Sequence, residues 1–205
     1  MVHFGIVDYG MGNLRSVLGA VEKIGHRGTI SSDASTLEGC DRLILPGVGA
    51  FGDAMANIEA RGLRTILDQL VLDVRKPMLG ICLGAQLLTK TSSEFGPTAG
   101  LGWIDGAVDR IVGTDAIRVP HVGWNRTRRV NDSPLLDGIP DDALFYFVHS
   151  FRILCSDAAA IVCECDYGGA FVAAFSKGNV HGTQFHPEKS QRHGLRLLAN
   201  FAEMA

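Results

Sequence analysis

The chain has 205 residues, 46% of them hydrophobic and 20% charged, with a formal net charge of -3. That length buries enough apolar surface for one domain over residues 1–205 without metal or disulfide support, and the charge balance offers no basic field for nucleic acid. No apolar run reaches membrane-spanning length, and the start, Val2-His3-Phe4-Gly5-Ile6-Val7, lacks the basic flank and long apolar core of a signal peptide, so a cytoplasmic location is expected.

In chain order, the patterning predicts a strand near Val2 to Asp8, a helix near Asn13 to Ile24 and a strand near Arg42 to Leu45. Strand, helix, strand is the signature of a parallel α/β sheet. Amphipathic stretches at Asp53 to Ala60 and Leu63 to Val74 precede a strand at Met78 to Ile81, with an apolar helix from Leu83 onward. The second half carries short strand-like runs at Gly106 to Val112, Ala143 to Val148, Ala160 to Cys165 and Ala170 to Phe175, separated by turn residues. A strand at Val180 to Phe185 and a closing helix at Gln191 to Glu203 follow. The expected fold class is α/β, a mostly parallel central sheet flanked by helices with a mixed or antiparallel strand extension.

The five cysteines, Cys40, Cys82, Cys155, Cys163 and Cys165, are odd in number and irregular in spacing. They fit neither a disulfide framework nor paired metal-binding turns. Cys163 and Cys165 would face the same side of a strand, where packing is the expected role. The seven histidines include no zinc-binding H-E-x-x-H pair, so no metal and no cofactor are implied.

Cys82 stands where strand becomes helix, in Gly80-Ile81-Cys82-Leu83-Gly84-Ala85-Gln86. Such a turn pushes a side chain outward, and the flanking glycines remove bulk that would keep strand and helix apart. Unpaired N–H groups at a helix start favour thiolate over thiol. The same geometry aims the Leu83 N–H at the oxygen that turns negative when a thiolate attacks an amide carbonyl. A buried cysteine in a tight junction, or the elbow of a flavodoxin-like hydrolase, is compatible with this motif alone.

Downstream, Gln184-Phe185-His186-Pro187-Glu188-Lys189 places an imidazole and a carboxylate two positions apart on a link stiffened by proline. A histidine can take the thiol proton and return it to departing ammonia, while the carboxylate fixes its tautomer. Leu45-Pro46-Gly47-Val48-Gly49-Ala50-Phe51-Gly52 is a glycine-rich loop able to present backbone N–H groups. It also reads as a plain turn before a helix capped by Asp53.

Together, G-I-C-L-G-A-Q and Q-F-H-P-E, about a hundred residues apart, resemble the class I (triad) glutamine amidotransferases. The resemblance implies a triad of Cys82, His186 and Glu188, and an oxyanion hole from Leu83 with Val48 or Gly49, completed by a peptide rearrangement that would tie activity to a partner. It implies a glutamine pocket formed by Gly47, Gln86, Glu94, His149, Ser150 and Phe151. At Phe151 many relatives have tyrosine.

Three further segments, Asp8-Tyr9-Gly10-Met11-Gly12-Asn13-Leu14-Arg15, Pro46-Gly47-Val48-Gly49-Ala50-Phe51 and Pro120-His121-Val122-Gly123-Trp124-Asn125, resemble the glutaminase subunits of imidazole glycerol phosphate synthase. That resemblance implies a heterodimer with a (β/α)8-barrel cyclase that channels ammonia in histidine biosynthesis. Asn13, Arg15, Trp124, Asn125 and Lys189 would then face the barrel. A paralogue feeding a sugar-modifying amidotransferase in surface-polysaccharide synthesis, and a non-catalytic regulatory subunit on the same scaffold, stay open at this point.

Overall fold

The computed structural model describes residues 1–204. Its first half runs β1 (His3–Val7), α1 (Leu14–Lys23), β2 (Arg27–Ser31), α2 (Ala34–Glu38), β3 (Arg42–Gly47), α3 (Phe51–Ala60), α4 (Leu63–Asp68), β4 (Met78–Cys82) and α5 (Leu83–Leu87). There follow β5 (Thr89–Ser92), β6 (Thr98–Ala99), β7 (Ile104–Arg110), β8 (His121–Arg126), β9 (Arg128–Arg129), β10 (Leu144–His149) and β11 (Phe151–Cys155). The chain ends with β12 (Ile161–Asp166), β13 (Ala170–Lys177), β14 (Val180–Thr183) and α6 (Gln191–Glu203). Among the described residues no helix is long and apolar enough to cross a membrane.

The main sheet has the order β2-β1-β3-β4-β14-β13-β11-β7-β5-β6. From β2 to β14 it is parallel, and from β14 through β13 and β11 to β7 it is antiparallel. This is the expected α/β class with its antiparallel extension. β8 and β10 form a separate antiparallel ribbon in which His121 lies opposite His149. Alternation along each central strand sends residues to two cores: Phe4, Ile6, Ile44, Leu79 and Ile81 pack with Val17, Val21, Leu197 and Phe201 from α1 and α6. On the other face Leu43, Leu45 and Met78 pack with Ile58, Leu63 and Leu67 from α3 and α4. Period-two alternation with both faces apolar is what a helix-covered parallel sheet demands.

Several expectations need adjusting. The strand β2 was not anticipated, because Arg27-Gly28-Thr29-Ile30-Ser31 has no apolar alternation and pairs only at the sheet edge. The second amphipathic helix is α-helical to Asp68 and then widens into a π turn over Gln69–Asp73. The helix from Leu83 stops after five residues, since the Leu87 carbonyl accepts the Leu101 N–H and the chain swings into β5. Asp53 does not cap α3: the cap position is Ala50, and the Glu94 carboxylate accepts the Phe51 N–H at 2.7 Å. Cys163 and Cys165 are buried in one apolar cluster and free, and burial pushes both thiols up to about 12, in keeping with a packing role.

The glycines of the elbow are required by contact. A Cβ on Gly84 would lie 1.7 Å from the Leu45 carbonyl oxygen, and one on Gly80 2.6 Å from the Ala85 Cα. Backbone therefore rests on backbone where α5 meets β3. Gly84→Ala is expected to cost about 3 kcal/mol or more, a fall of about 6–12 °C in thermal midpoint for a chain this size. Thermal denaturation followed by circular dichroism checks this, and an unchanged midpoint would contradict the packing described.

Candidate active site

The register of the central strands assembles the site. β4 lies between β3 and β14, with Cys82 opposite Gly47 on one side and Ile81 opposite Thr183 on the other. The loop after β3 and the segment after β14 therefore leave the sheet beside Cys82, at the carboxyl ends of the strands. Cys82 itself has φ 54° and ψ -111°. A residue with a Cβ is disfavoured at positive φ by about 1–3 kcal/mol, strain typical of reactive turns. Its sulfur lies 3.7 Å from Gln184 Nε2, which donates to it, and 3.9 Å from the Val148 carbonyl.

His186 and Glu188 form a buried pair, with side chains 2% and 1% exposed and Nδ1 to Oε1 at 2.8 Å. The His186 N–H donates to the Tyr146 carbonyl, which anchors the segment to β10. A carboxylate can only accept, so Nδ1 donates its proton to Glu188, while the buried Nε2 has no hydrogen-bond partner. Burial alone would lower the imidazole pKa, but the Cys82 and Glu188 side chains outweigh it and raise it to about 9. Titrating the ring by NMR is expected to give a midpoint near that value in the free chain, and a lower one in Cys82→Ala, where one of the two groups that raise it is gone. Equal midpoints in both proteins would show that the cysteine does not sense the ring.

A cavity of about 340 Å³ opens over the sulfur, within the range of small-ligand sites. Cys82, Leu83, His186, Val48 and Gly49 line its inner part, and Gln86, Glu94, His149, Ser150 and Phe151 line it with Pro120 and Val148. Gly47 and Glu188 are not in this wall. They border a separate small void, together with Asn13, Val17, Pro46 and His186. Val48 is 42% exposed and Gly49 has φ +109°, so the glycine loop is an open rim over the sulfur. Gln184 and His121, buried polar residues near this site, were not singled out from sequence. Gln184 stands inside the quoted Q-F-H-P-E motif, which was the one available signal.

Of the expected docking residues, Trp124 is 46% exposed on β8 and meets the Tyr146 ring edge-on at 6.0 Å. Lys189 places its ammonium 6.0 Å over the same tyrosine ring. Exposed Val122 and Leu144 lie on the same ribbon. Asn125 is half-buried on β8, whereas Arg15 is exposed and lines a separate groove with Asp8 and Leu18.

A cysteine elbow at the end of a parallel strand, with a buried His–Glu pair on the neighbouring strand's exit, defines a thiol amidohydrolase site. The chain belongs to the class I glutamine amidotransferases: residues 5–205 match the family described as glutamine amidotransferase class-I. Within that family it is 48% identical over 197 residues to the imidazole glycerol phosphate synthase subunit HisH of Rhodopirellula baltica, spanning 96% of this chain and 95% of that one. It is 46% identical over 204 residues to the HisH subunit of Shouchella clausii, spanning 98% and 97% of the two chains. Among solved structures, that of PurLQS from Thermotoga maritima superposes with a TM-score of 0.78 at 20% identity, covering 99% of each chain, which speaks for the fold alone.

Proposed function

We propose that this chain is the glutaminase subunit of imidazole glycerol phosphate synthase. It hydrolyses glutamine to glutamate and ammonia and passes the ammonia to a (β/α)8-barrel cyclase, which forms imidazole glycerol phosphate and an aminoimidazole carboxamide ribotide in histidine biosynthesis. The observation that carries this reading is the buried His186–Glu188 pair whose unpartnered Nε2 shares one cavity with Cys82. Full-length similarity to HisH subunits supports the synthase assignment.

In this reading the Cys82 thiol gives its proton to His186 Nε2 as the sulfur attacks the side-chain amide carbon of glutamine, and the carbonyl electron pair moves to oxygen. The Leu83 N–H and an N–H of Val48 or Gly49 stabilise that oxygen. The C–N bond then breaks as His186 protonates the departing nitrogen, leaving a thioester and ammonia. Water, deprotonated by His186, hydrolyses the thioester to glutamate and restores the thiol. Glu188 accepts from Nδ1–H throughout, so that Nε2 is the nitrogen that takes and returns the proton. Glu94, which also caps α3, offers its carboxylate to the substrate ammonium, while Gln86, His149, Ser150 and Phe151 shape the pocket around the amino acid end. Every group in this sequence of steps comes from the chain, its substrate and water, so the half-reaction requires no cofactor.

The whole chain acts as one domain in the cytoplasm, docked to the barrel through Asn13, Arg15, Trp124, Asn125 and Lys189. The open loop at Val48 and Gly49 is the switch that completes the oxyanion hole on docking. The test is glutamine hydrolysis by the chain alone and with the barrel and the barrel's ligand. Slow turnover alone and faster turnover in the complex are expected. A rate that the barrel leaves unchanged would exclude the coupling.

A further inference from the structure

The triad leaves unused a set of buried polar side chains. Gln184, His121, His149 and Gln86 are 0%, 3%, 6% and 5% exposed. Their hydrogen bonds have directions fixed by one atom. The Phe151 carbonyl accepts from His149 Nδ1 at 2.8 Å and from Gln86 Nε2 at 3.0 Å. A carbonyl cannot donate, so His149 holds its proton on Nδ1 and presents Nε2 as an acceptor. His121 Nδ1, 3.0 Å from that Nε2, must then be the donor. That leaves His121 Nε2 to accept from Asn125 Nδ2 at 3.3 Å. In the other direction, Gln86 Nε2 also donates to Gln184 Oε1 at 3.0 Å, which turns the Gln184 amide nitrogen toward the Cys82 sulfur.

The result is two directed arms that meet on the Phe151 carbonyl, one from the half-buried Asn125 on the β8–β10 ribbon and the other linking Gln86 through Gln184 to the sulfur. Buried polar groups ordinarily satisfy one another, and satisfaction alone would explain the inner members. The Asn125 nitrogen lies 3.3 Å from both His121 Nε2 and the Asp166 carbonyl, so this amide can leave the imidazole and keep a partner. Trp124, its neighbour on β8, stands on the opposite, exposed face of the ribbon proposed to meet the barrel, so docking there bears on the strand that carries Asn125. Burial pulls both histidines down to about 4, so both rings are neutral, as the first arm requires.

We propose that Gln184, Gln86, His149 and His121 are positioning residues that orient the Cys82 sulfur, and that a partner docking at Asn125 adjusts that orientation through them. The proposal deepens the reading of Cys82 as the nucleophile of a partner-bound glutaminase and rests on it. An amide donor on the sulfur fixes its direction and stabilises its negative charge, whereas the Val148 carbonyl can do neither for a thiolate.

The experiment combines imidazole tautomers by ¹⁵N NMR with the rate of Cys82 alkylation by iodoacetamide, located by peptide mass. The proteins are the wild type, Asn125→Ala, His121→Phe, His121→Gln and Gln184→Met. In the wild type both His121 and His149 are expected as Nδ1–H tautomers, with the His121 Nε2 signal shifting when the barrel binds. Gln184→Met and His121→Phe should slow alkylation and lower kcat by about tenfold with KM little changed, the worth of one hydrogen bond in the path. His121→Gln, which keeps a donor and an acceptor, should recover most of the rate, and Asn125→Ala should lose the barrel's effect on alkylation. An Nε2–H tautomer at His149, wild-type alkylation in both His121→Phe and Gln184→Met, or an unshifted His121 signal on docking would overturn the proposal. The tautomer and alkylation measurements need no glutamine turnover. A wild type that does not hydrolyse glutamine would therefore count against the proposed function, while the positioning chain would still be decided.

Discussion

Replacing Cys82 by alanine is expected to abolish glutamine-dependent synthesis while leaving the assembled complex active with added ammonium salt. The substitution removes the atom that forms the thioester, and nothing else lining the cavity offers a comparable nucleophile: Ser150 is the one hydroxyl in its wall, and the imidazole nearest the sulfur is His186. Loss of a residue that acts as one unit with its base lowers kcat by on the order of 10⁴–10⁶-fold. Alanine keeps the turn at φ 54° and the packing of Leu83 and Gly84, so association with the barrel should survive. Ammonia supplied from solution then bypasses only the missing step. His186→Ala should behave in the same way, because Nε2 is the group that moves the proton. Glu188→Gln should lose less, since it spoils the orientation and charge support of the ring and leaves the ring itself in place. The measurement is product formation with glutamine and with ammonium for each variant. Retained glutamine-dependent synthesis in Cys82→Ala would remove the cysteine from the mechanism.

What the sequence disclosed followed how local each requirement is. The elbow was legible because glycines flanking a cysteine mark a tight turn locally, although only Gly80 is demanded by its own turn, while Gly84 is demanded by contact with Leu45 of β3. The closing helix matched its expected bounds because its apolar stripe, Leu197, Leu198 and Phe201, faces one core. His-Pro-Glu was legible as a motif, yet its nearness to Cys82 depends on β14 lying beside β4, a pairing of strands about a hundred residues apart that no local pattern encodes. The role of Glu94 as cap to α3 was invisible for the same reason, as the helix it caps starts 43 residues earlier. Gln184 and His121 were passed over because a buried amide and a buried imidazole have no periodic signature. Their directions emerge only from the Phe151 carbonyl that joins them. The edge strand β2 was missed, and the helix expected from Leu83 ends early at Leu87, where tertiary pairing overrode composition.

Truncating Trp124 is expected to weaken association with the barrel far more than truncating Lys189. Ammonia released beside Cys82 is lost to water unless another surface closes the mouth of the cavity, so the elements rimming that mouth should carry the interface. The β8–β10 ribbon is one of them, since His149 and Val148 at the end of β10 line the cavity while Val122, Trp124 and Leu144 stand exposed along the ribbon. Exposed aliphatic and aromatic side chains gathered on one ribbon are what a protein partner covers. Within the patch, Trp124 packs edge-on against Tyr146, so it is held in place before docking and gives up little freedom on burial. An aromatic anchor of this kind is worth about 2 kcal/mol or more, roughly a thirtyfold change in Kd. Lys189 lies over the same tyrosine, where a rim ion pair with a barrel carboxylate contributes about 0–1 kcal/mol. The fold should tolerate both changes, because neither side chain belongs to the two apolar cores. Calorimetric titration of barrel into Trp124→Ala and Lys189→Ala, read with the ratio of glutamine consumed to product formed, decides the matter. The tryptophan variant should bind weakly and waste ammonia, and the lysine variant should remain close to wild type. Unchanged affinity and unchanged ratio in both would show that the barrel docks on a different face.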